Sequence, residues 1–171
     1  MENRYLFRGK RTDNNEWEYG LPSYDEDGEI EEIEVWSEDD INFYSVDPST
    51  VCQCTGLKDK NGKLIWENDI VKDLFSNVCA QIKYGSYQNC FDSTKTEHVG
   101  FYVCWSDKYT KRYRKDLGYW INMVDAEVVG NAFDNPELLE VQECILDKMN
   151  PNDFETYLRL YNALEEKGCE E

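Results

Sequence analysis

The sequence contains no long apolar run and only one histidine among its 171 residues. A membrane-spanning helix needs about 18 or more consecutive apolar residues, and a secretory signal needs an apolar core near the N-terminus. Because the sequence has neither feature, we expect a cytoplasmic protein that makes no membrane contact. The seven cysteines are an odd number without a recognisable disulfide spacing, and we interpret them as reduced, mostly buried thiols.

Motifs of common enzyme classes are also missing. The sequence has no phosphate-binding loop, no dinucleotide-binding glycine pattern and no nucleophile elbow. Histidine-assisted catalysis would have to use His98, for which Cys90 and Cys104 are the nearest cysteines along the chain. We therefore expect a protein that is not an enzyme and binds no cofactor, and we keep a small enzyme around His98 as the second alternative.

Basic residues are absent from Thr12 to Leu57, a segment that contains 14 acidic residues. The whole chain has 18 basic and 36 acidic residues and a net charge of -18. A surface of this kind repels nucleic-acid phosphates and attracts basic surfaces. Direct binding to DNA or RNA is therefore not expected, whereas a protein partner with a basic surface is.

The residues that are present predict a mainly β protein. Short segments rich in Val, Ile, Tyr, Phe and Trp are each closed by Gly, Asn, Asp or Pro. This pattern is typical of an antiparallel meander or a partly closed barrel. A hairpin turn is predicted at Lys58–Lys63, where Asn61 and Gly62 tolerate positive φ, and a second turn is predicted at Asp25–Gly28.

The hydrophobic period changes after Phe133. Asn135 followed by Pro136 is typical of a helix start, and apolar residues then recur every three or four positions. A second segment of this kind follows the last proline of the chain. We therefore predict a β module over residues 1–134 and a C-terminal helical pair over residues 135–171.

Three segments stand out by their order and spacing. They are YLFRGKRTDNNEWEYG, STVCQCTGLKDKNGKLIWENDIVKD and AEVVGNAFDNPELL. Together they resemble the signature segments of the YopX family, small proteins carried by phages and prophages of bacteria, over roughly residues 4–139. The resemblance implies a predominantly β fold in a phage or prophage accessory protein of a bacterial host cell, and it implies no catalytic residues. Cys52 and Cys54 stand where the family usually has a glycine and a tyrosine, and the helices after Leu139 extend past the shared part.

Two patterns are similar to metal sites. Cys52 and Cys54 lie two residues apart, but zinc pairs are spaced to wrap a turn and a second pair is missing, so buried thiols are the better interpretation. Residues 23–34 resemble a calcium loop that lacks its first Asp and its entering helix. A β-turn at Asp27 and Gly28 explains the same residues, and we expect no metal.

The acidic stretch, defined as residues 25–40, contains ten carboxylates and no base. If extended, it would spread these charges over about 50 Å, a density comparable with that of single-strand phosphates. Alternation of Ile33 and Val35 with Glu32 and Glu34 would let one face dock on the domain while the other presents charge.

We predict that the acidic stretch binds a host or phage protein, with nucleic-acid mimicry or inhibition of a host nucleic-acid or defence enzyme as two ways of acting. The alternative is a solvated edge that carboxylates protect from aggregation. The predicted contact residues are Asp25, Asp27, Glu31, Glu32, Glu34, Glu38, Asp39 and Asp40.

The first alternative function is a nucleic-acid-associated module. One segment interleaves bases with aromatic residues, which can bind a single strand by phosphate contact and stacking. Its residues are Lys108, Tyr109, Lys111, Arg112, Tyr113, Arg114 and Lys115. In so acidic a chain we prefer pairing of these bases with carboxylates of the same chain or of a second subunit, so a homo-oligomer stays an open prediction.

Overall fold

The computed structural model describes residues 3–72, 79–88, 96–104, 117–118, 121 and 126–139. Within these residues there are ten β-strands and two 3-10 helices, Asn3–Tyr5 and Pro48–Thr50. The strands are β1 (Phe7–Lys10), β2 (Trp17–Tyr24), β3 (Ile30–Trp36), β4 (Ile41–Ser45), β5 (Cys52–Lys58), β6 (Leu64–Trp66), β7 (Asp69–Lys72), β8 (Cys79–Gln88), β9 (Glu97–Cys104) and β10 (Glu127–Asn131). The mainly β fold predicted from the sequence is therefore confirmed.

The strands form two antiparallel sheets. The larger sheet has the order β4-β3-β2-β1-β5-β6, and the smaller sheet has the order β10-β7-β8-β9. Most neighbours are consecutive along the chain, as in a meander. In the part of the chain that the structure describes, neither sheet closes on itself, so the open antiparallel arrangement is found rather than the barrel.

A two-residue corner, Glu67 and Asn68, joins the two sheets between β6 and β7. Asn68 has a φ of 63°, a left-handed conformation that asparagine adopts more readily than most residues. Its backbone N–H donates to the carbonyl of Ile82 at 2.8 Å, and its carbonyl accepts from the N–H of Ala132 at 2.9 Å. The corner therefore places the end of β6 and the start of β7 close together while sending them into different sheets.

One hydrophobic cluster lies mainly beneath the smaller sheet. Its members are Ile65, Val71, Ala80, Ile82, Val103, Leu117, Ile121, Ala126 and Val128. Several are β-branched, and such side chains pack well on a pleated sheet surface. Full burial of a Val, Leu or Ile side chain contributes about 1.5 to 3 kcal/mol, so this cluster is a main source of stability.

The hairpin predicted at Lys58–Lys63 is confirmed and joins β5 to β6. Oδ1 of Asp59 accepts hydrogen bonds from the backbone N–H groups of Asn61 and Lys63, both at 2.9 Å. Gly62 has a φ of 82°, whereas Asn61 is not among the residues with positive φ. The turn thus needs one left-handed residue rather than two, because the Asp59 side chain organises the remainder.

The predicted start of the C-terminal helices is also found. Residues 137–139 are helical and directly follow Asn135 and Pro136. The rest of the predicted helical pair, residues 140–171, lies outside the described residues, and the division of the chain after residue 134 stays a prediction. No helix within the described ranges is long and apolar enough to cross a membrane.

Candidate functional site

The acidic stretch folds into two consecutive hairpins. Residues 25–29 form the turn between β2 and β3, and residues 37–40 form the turn between β3 and β4. Only β3, with seven residues, is extended. The condition of a fully extended stretch of about 50 Å is therefore not met, because the seven extended residues span only about 23 Å.

The turn predicted at the beginning of the acidic stretch is confirmed. Oδ1 of Asp25 accepts hydrogen bonds from the backbone N–H groups of Asp27 and Glu29, both at 2.9 Å. Ser23 and Glu34, which would end the calcium loop, instead lie in the paired strands β2 and β3. The Asp25 carboxylate therefore organises a hairpin turn, as the β-turn interpretation predicts.

The alternation predicted for β3 is confirmed. Ile33 is fully buried, whereas Glu32 and Glu34 lie on the other side of the strand and are half-buried. Glu31 is exposed, but it shares the side of Ile33 because side chains alternate along a strand. The eight predicted contact residues are thus divided among two turns and two sides of one strand, and no single face carries them all.

The side of β3 that carries Glu32 and Glu34 also carries exposed apolar side chains. Trp36 lies opposite Ile41, and Glu34 lies opposite Phe43, in the β3–β4 pairing. Opposite residues of an antiparallel pair share one face. The exposed fraction is 62% for Trp36, 53% for Phe43 and 40% for Ile41. We call Glu32, Glu34, Trp36, Ile41 and Phe43 the acidic aromatic face.

The described residues include no base that forms an ion pair with the acidic stretch. Among the described residues, ion pairs link Arg8 to Asp69, Lys10 to Asp134, Arg11 to Asp13 and Glu18, and Lys60 to Glu127. None of these pairs uses a carboxylate of residues 25–40. The acidic aromatic face therefore presents apolar and negatively charged groups together.

The proposed histidine and cysteine pair is not assembled by the described strands. His98 lies in β9 and stacks on Tyr87 of β8, with 5.5 Å between ring centroids. Cys104 is at the end of the same strand, and six extended residues separate the two by about 20 Å. Cys90 and the basic segment 108–115 lie outside the described residues.

The interpretation of Cys52 and Cys54 as buried thiols is confirmed. Both side chains are fully buried in β5. Burial raises the pKa of both thiols, so they are held in the neutral form. Among the described residues, no group of three or more metal-ligating side chains is assembled around them or elsewhere.

A cleft between the two sheets is a second candidate site, which the sequence analysis did not identify. It has a volume of about 600 Å³. Its walls include Arg8, Trp17, Tyr19, Lys63, Trp66 and Asp69. The end of β10 and the residues just after it complete the lining, so both sheets contribute.

Arg8 is the buried cation of this cleft. Its Nη2 donates to Oδ1 of Asp69 at 2.7 Å and makes a longer contact of 3.5 Å with the carbonyl of Glu67. The guanidinium lies over Trp17 and Trp66, at 4.6 Å and 5.6 Å from the ring centroids. Nε of Arg8 is buried and has no hydrogen-bond partner in the described part of the chain.

Asp69 is the counter-ion of Arg8 and also supports the corner between the sheets. Its side chain is almost fully buried, and its Oδ2 accepts from the backbone N–H of Trp66 at 2.9 Å. Burial raises the pKa of Asp69, and the attraction of Arg8 offsets only part of this effect. The free-energy cost of desolvating the two charges therefore opposes the stabilisation that comes from their mutual attraction.

Asp134 ties the segment after β10 to the larger sheet. Its Oδ2 accepts from Nε1 of Trp17 at 2.8 Å and from Nδ2 of Asn131 at 2.7 Å, and it forms an ion pair with Lys10. Partial burial acts to raise the pKa of Asp134, but the bonds from Asn131, Lys10 and Trp17 outweigh it and lower the pKa to about 2. The carboxylate is therefore ionised at neutral pH.

All three segments that resemble the family signature reach this cleft. The first contributes Arg8 and Trp17, the second contributes Trp66 and Asp69, and the third contributes Asp134. The acidic aromatic face lies outside these segments. The sequence carries no clear signal for Arg8 and Asp69, because β1 also contains Lys10 and β7 also contains Lys72, so neither residue stands out as the buried charge of its strand.

Comparison with protein families agrees with the resemblance. No curated protein matches this sequence. The crystal structure of protein EF1440 from Enterococcus faecalis is similar, with 24% identity over 78% of this chain and 96% of that chain and a TM-score of 0.43. The family described as YopX protein matches residues 6–140. Because this match takes in well over half of the sequence, the chain belongs to the YopX family.

Proposed function

We propose that this YopX family member is a non-enzymatic accessory protein of a phage or prophage. It acts in the cytoplasm of the bacterial host by binding a protein with a basic surface through its acidic aromatic face. The observation that supports this proposal is the exposure of Trp36, Ile41 and Phe43 beside Glu32 and Glu34.

The two kinds of side chain on this face have different roles in binding. Large aromatic side chains that insert into pockets of a partner supply most of the affinity in many interfaces. Carboxylates around them attract a basic partner from a distance and disfavour acidic ones. A face with both features suits a basic protein surface that contains apolar pockets.

The same charges disfavour two other occupants. A second copy of the chain, docked on this face by two-fold symmetry, would bring four carboxylates, Glu32 and Glu34 of each copy, into one interface. Nucleic acid would be repelled by the same carboxylates. We therefore infer a heterologous protein partner, and we place the contact on a compact face rather than along an extended imitation of a phosphate backbone.

The test begins with capture of partners from host lysate and identification by mass spectrometry. Affinity for the captured protein is then measured by calorimetry with Trp36→Ala and Phe43→Ala variants. We expect at least about tenfold weaker binding in each case, since truncation of an interface hot spot costs about 2 kcal/mol or more. Tyr84→Ala is the matched control, because Tyr84 is 54% exposed on the smaller sheet.

A second pair of variants tests the charge of the face. Glu32→Gln with Glu34→Gln should weaken the complex several-fold at low salt, whereas Glu31→Gln, on the other side of β3, should change it little. The difference in affinity between the wild type and the double Gln variant should shrink as the salt concentration rises, because the Debye length falls from about 10 Å at about 0.1 M to about 3 Å at about 1 M. Equal affinity of the wild type and both aromatic variants would refute the proposal.

A further inference from the structure

We propose that the cleft between the two sheets binds a small planar molecule that carries an anionic oxygen group, a carboxylate or a phosphate. The cleft is distinct from the acidic aromatic face, so this inference goes beyond the proposed function. Its volume of about 600 Å³ lies within the range of about 300 to 1,000 Å³ that is usual for small-molecule sites.

Arg8 has unused hydrogen-bonding capacity. A guanidinium has five N–H donors, and both bonds that Arg8 makes leave from Nη2. Its Nε is buried without a partner in the described residues, although buried donors are nearly always satisfied. An anionic oxygen in the cleft would give this guanidinium a further acceptor, and arginine is well suited to bind carboxylate and phosphate.

The local charge of the cleft favours an anion. The cleft and its rim carry three bases, Arg8, Lys10 and Lys63, against two acids, Asp69 and Asp134. Arg8 pairs with Asp69, and Lys10 pairs with Asp134. Within the described residues Lys63 forms no ion pair, although its charge attracts the Asp69 carboxylate, so the bases of the cleft and its rim outnumber the acids by one in a chain of net charge -18. An anion is therefore favoured here over a cation.

One wall of the cleft is aromatic. Tyr19 is 47% exposed and meets Trp66 edge to face, with 5.3 Å between ring centroids. The rings of Trp17 and Trp66 already contact the Arg8 cation, and Lys10 also lies over Trp17 at 5.5 Å from the ring centroid, so cations of the chain itself occupy these rings. The exposed Tyr19 ring can stack on a flat apolar body, as aromatic side chains do on bases and other rings.

The test uses isothermal titration calorimetry with the full chain and four probes. Adenosine 5′-monophosphate and indole-3-acetate each combine a planar body with an anionic group, and they represent the two sources of this chemistry. Adenosine provides only the planar body of the nucleotide, and inorganic phosphate provides only its anionic group. We expect one of the first two probes to bind with a Kd below about 1 mM and both halves to bind at least about tenfold more weakly.

Variants at exposed positions then assign binding to the cleft without disturbing the buried ion pair. Lys63→Gln and Tyr19→Ala should each weaken the bound probe by at least about fivefold, which corresponds to about 1 kcal/mol. Lys58→Gln and Tyr84→Ala are the controls, since both side chains are exposed and neither lines the cleft, and they should bind as the wild type does.

Three results would overturn the proposal. The first is the absence of saturation by either planar anion, and the second is unchanged affinity in both cleft variants. The third is binding of inorganic phosphate as tight as that of the nucleotide, which would remove the role of the planar body. None of these results bears on partner binding by the acidic aromatic face, because Trp36 and Phe43 are unchanged in every variant used here.

Discussion

Removal of one member of the Arg8–Asp69 ion pair should destabilise the fold strongly, whereas replacement of both should not. The side chains are only 6% and 2% exposed. Asp69→Asn leaves the Arg8 charge buried without a counter-ion, a change that typically costs about 3 to 5 kcal/mol. We expect a loss of about 3 kcal/mol, at the lower end, because Asn keeps an oxygen that accepts from the Trp66 N–H.

The double variant Arg8→Met with Asp69→Leu removes both charges and keeps apolar contact with Trp17 and Trp66. It loses the acceptor for the backbone N–H of Trp66, which costs about 1 to 3 kcal/mol. It also removes the free-energy cost of desolvating two ions, and this gain offsets part of that loss. We therefore expect a total loss of about 1 to 2 kcal/mol, smaller than that of either single variant.

The assay is equilibrium unfolding in urea, followed by circular dichroism and tryptophan fluorescence. Single domains are typically stable by about 5 to 15 kcal/mol, so a loss of about 3 kcal/mol shifts the midpoint clearly. The wild type, Arg8→Met, Asp69→Leu and the double variant form a double-mutant cycle, in which a contacting pair shows coupling, and Asp69→Asn is measured beside them. Additive effects of the two single changes, or a cost below about 1 kcal/mol for Asp69→Asn, would refute the reasoning.

Three further predictions concern β2, the rim of the cleft and the turn at Asp25. Gly20→Ala should lower the free energy of unfolding by about 1 to 3 kcal/mol, because its Cβ would lie 2.1 Å from the carbonyl oxygen of Glu34. Gly100→Ala, whose nearest contact is 3.8 Å, should cost less; equal costs measured by urea unfolding would contradict this prediction. Because the folded pKa of Asp134 is lowered from 3.8 to about 2, its stabilisation is present above pH 3.8 and is lost as the pH falls towards 2. Asp134→Asn should therefore be about 1 kcal/mol less stable than the wild type at pH 7, after allowance for solvent screening, and this difference in stability should close by pH 2. A difference that stays constant with pH in thermal unfolding would show that the Asp134 carboxylate does not cause it. Millimolar calcium should leave the melting temperature unchanged, since the Asp25 carboxylate already accepts two backbone N–H groups; a rise that disappears in Glu34→Ala would show the opposite.

The parts of the fold that follow from local chemistry were predictable from the sequence. β-branched and aromatic segments closed by turn residues predict the strands, because these preferences act within a few residues. The turn at Lys58–Lys63 and the turn at Asp25–Gly28 are examples, and the side chains of Asp59 and Asp25 form them with neighbouring N–H groups. The family membership was also predictable, because three segments carry its pattern in order.

The tertiary structure alone decided which distant residues meet. Trp36 and Phe43 join Glu34 on one face only because the register of β3 with β4 aligns them, and a shift of one residue would place them on opposite sides. Arg8 and Asp69 are 61 positions apart, and Trp17 and Asp134 are 117 positions apart. Residues at such separations meet through the packing of two sheets about the corner at Asn68, an outcome of the whole chain that no local pattern encodes.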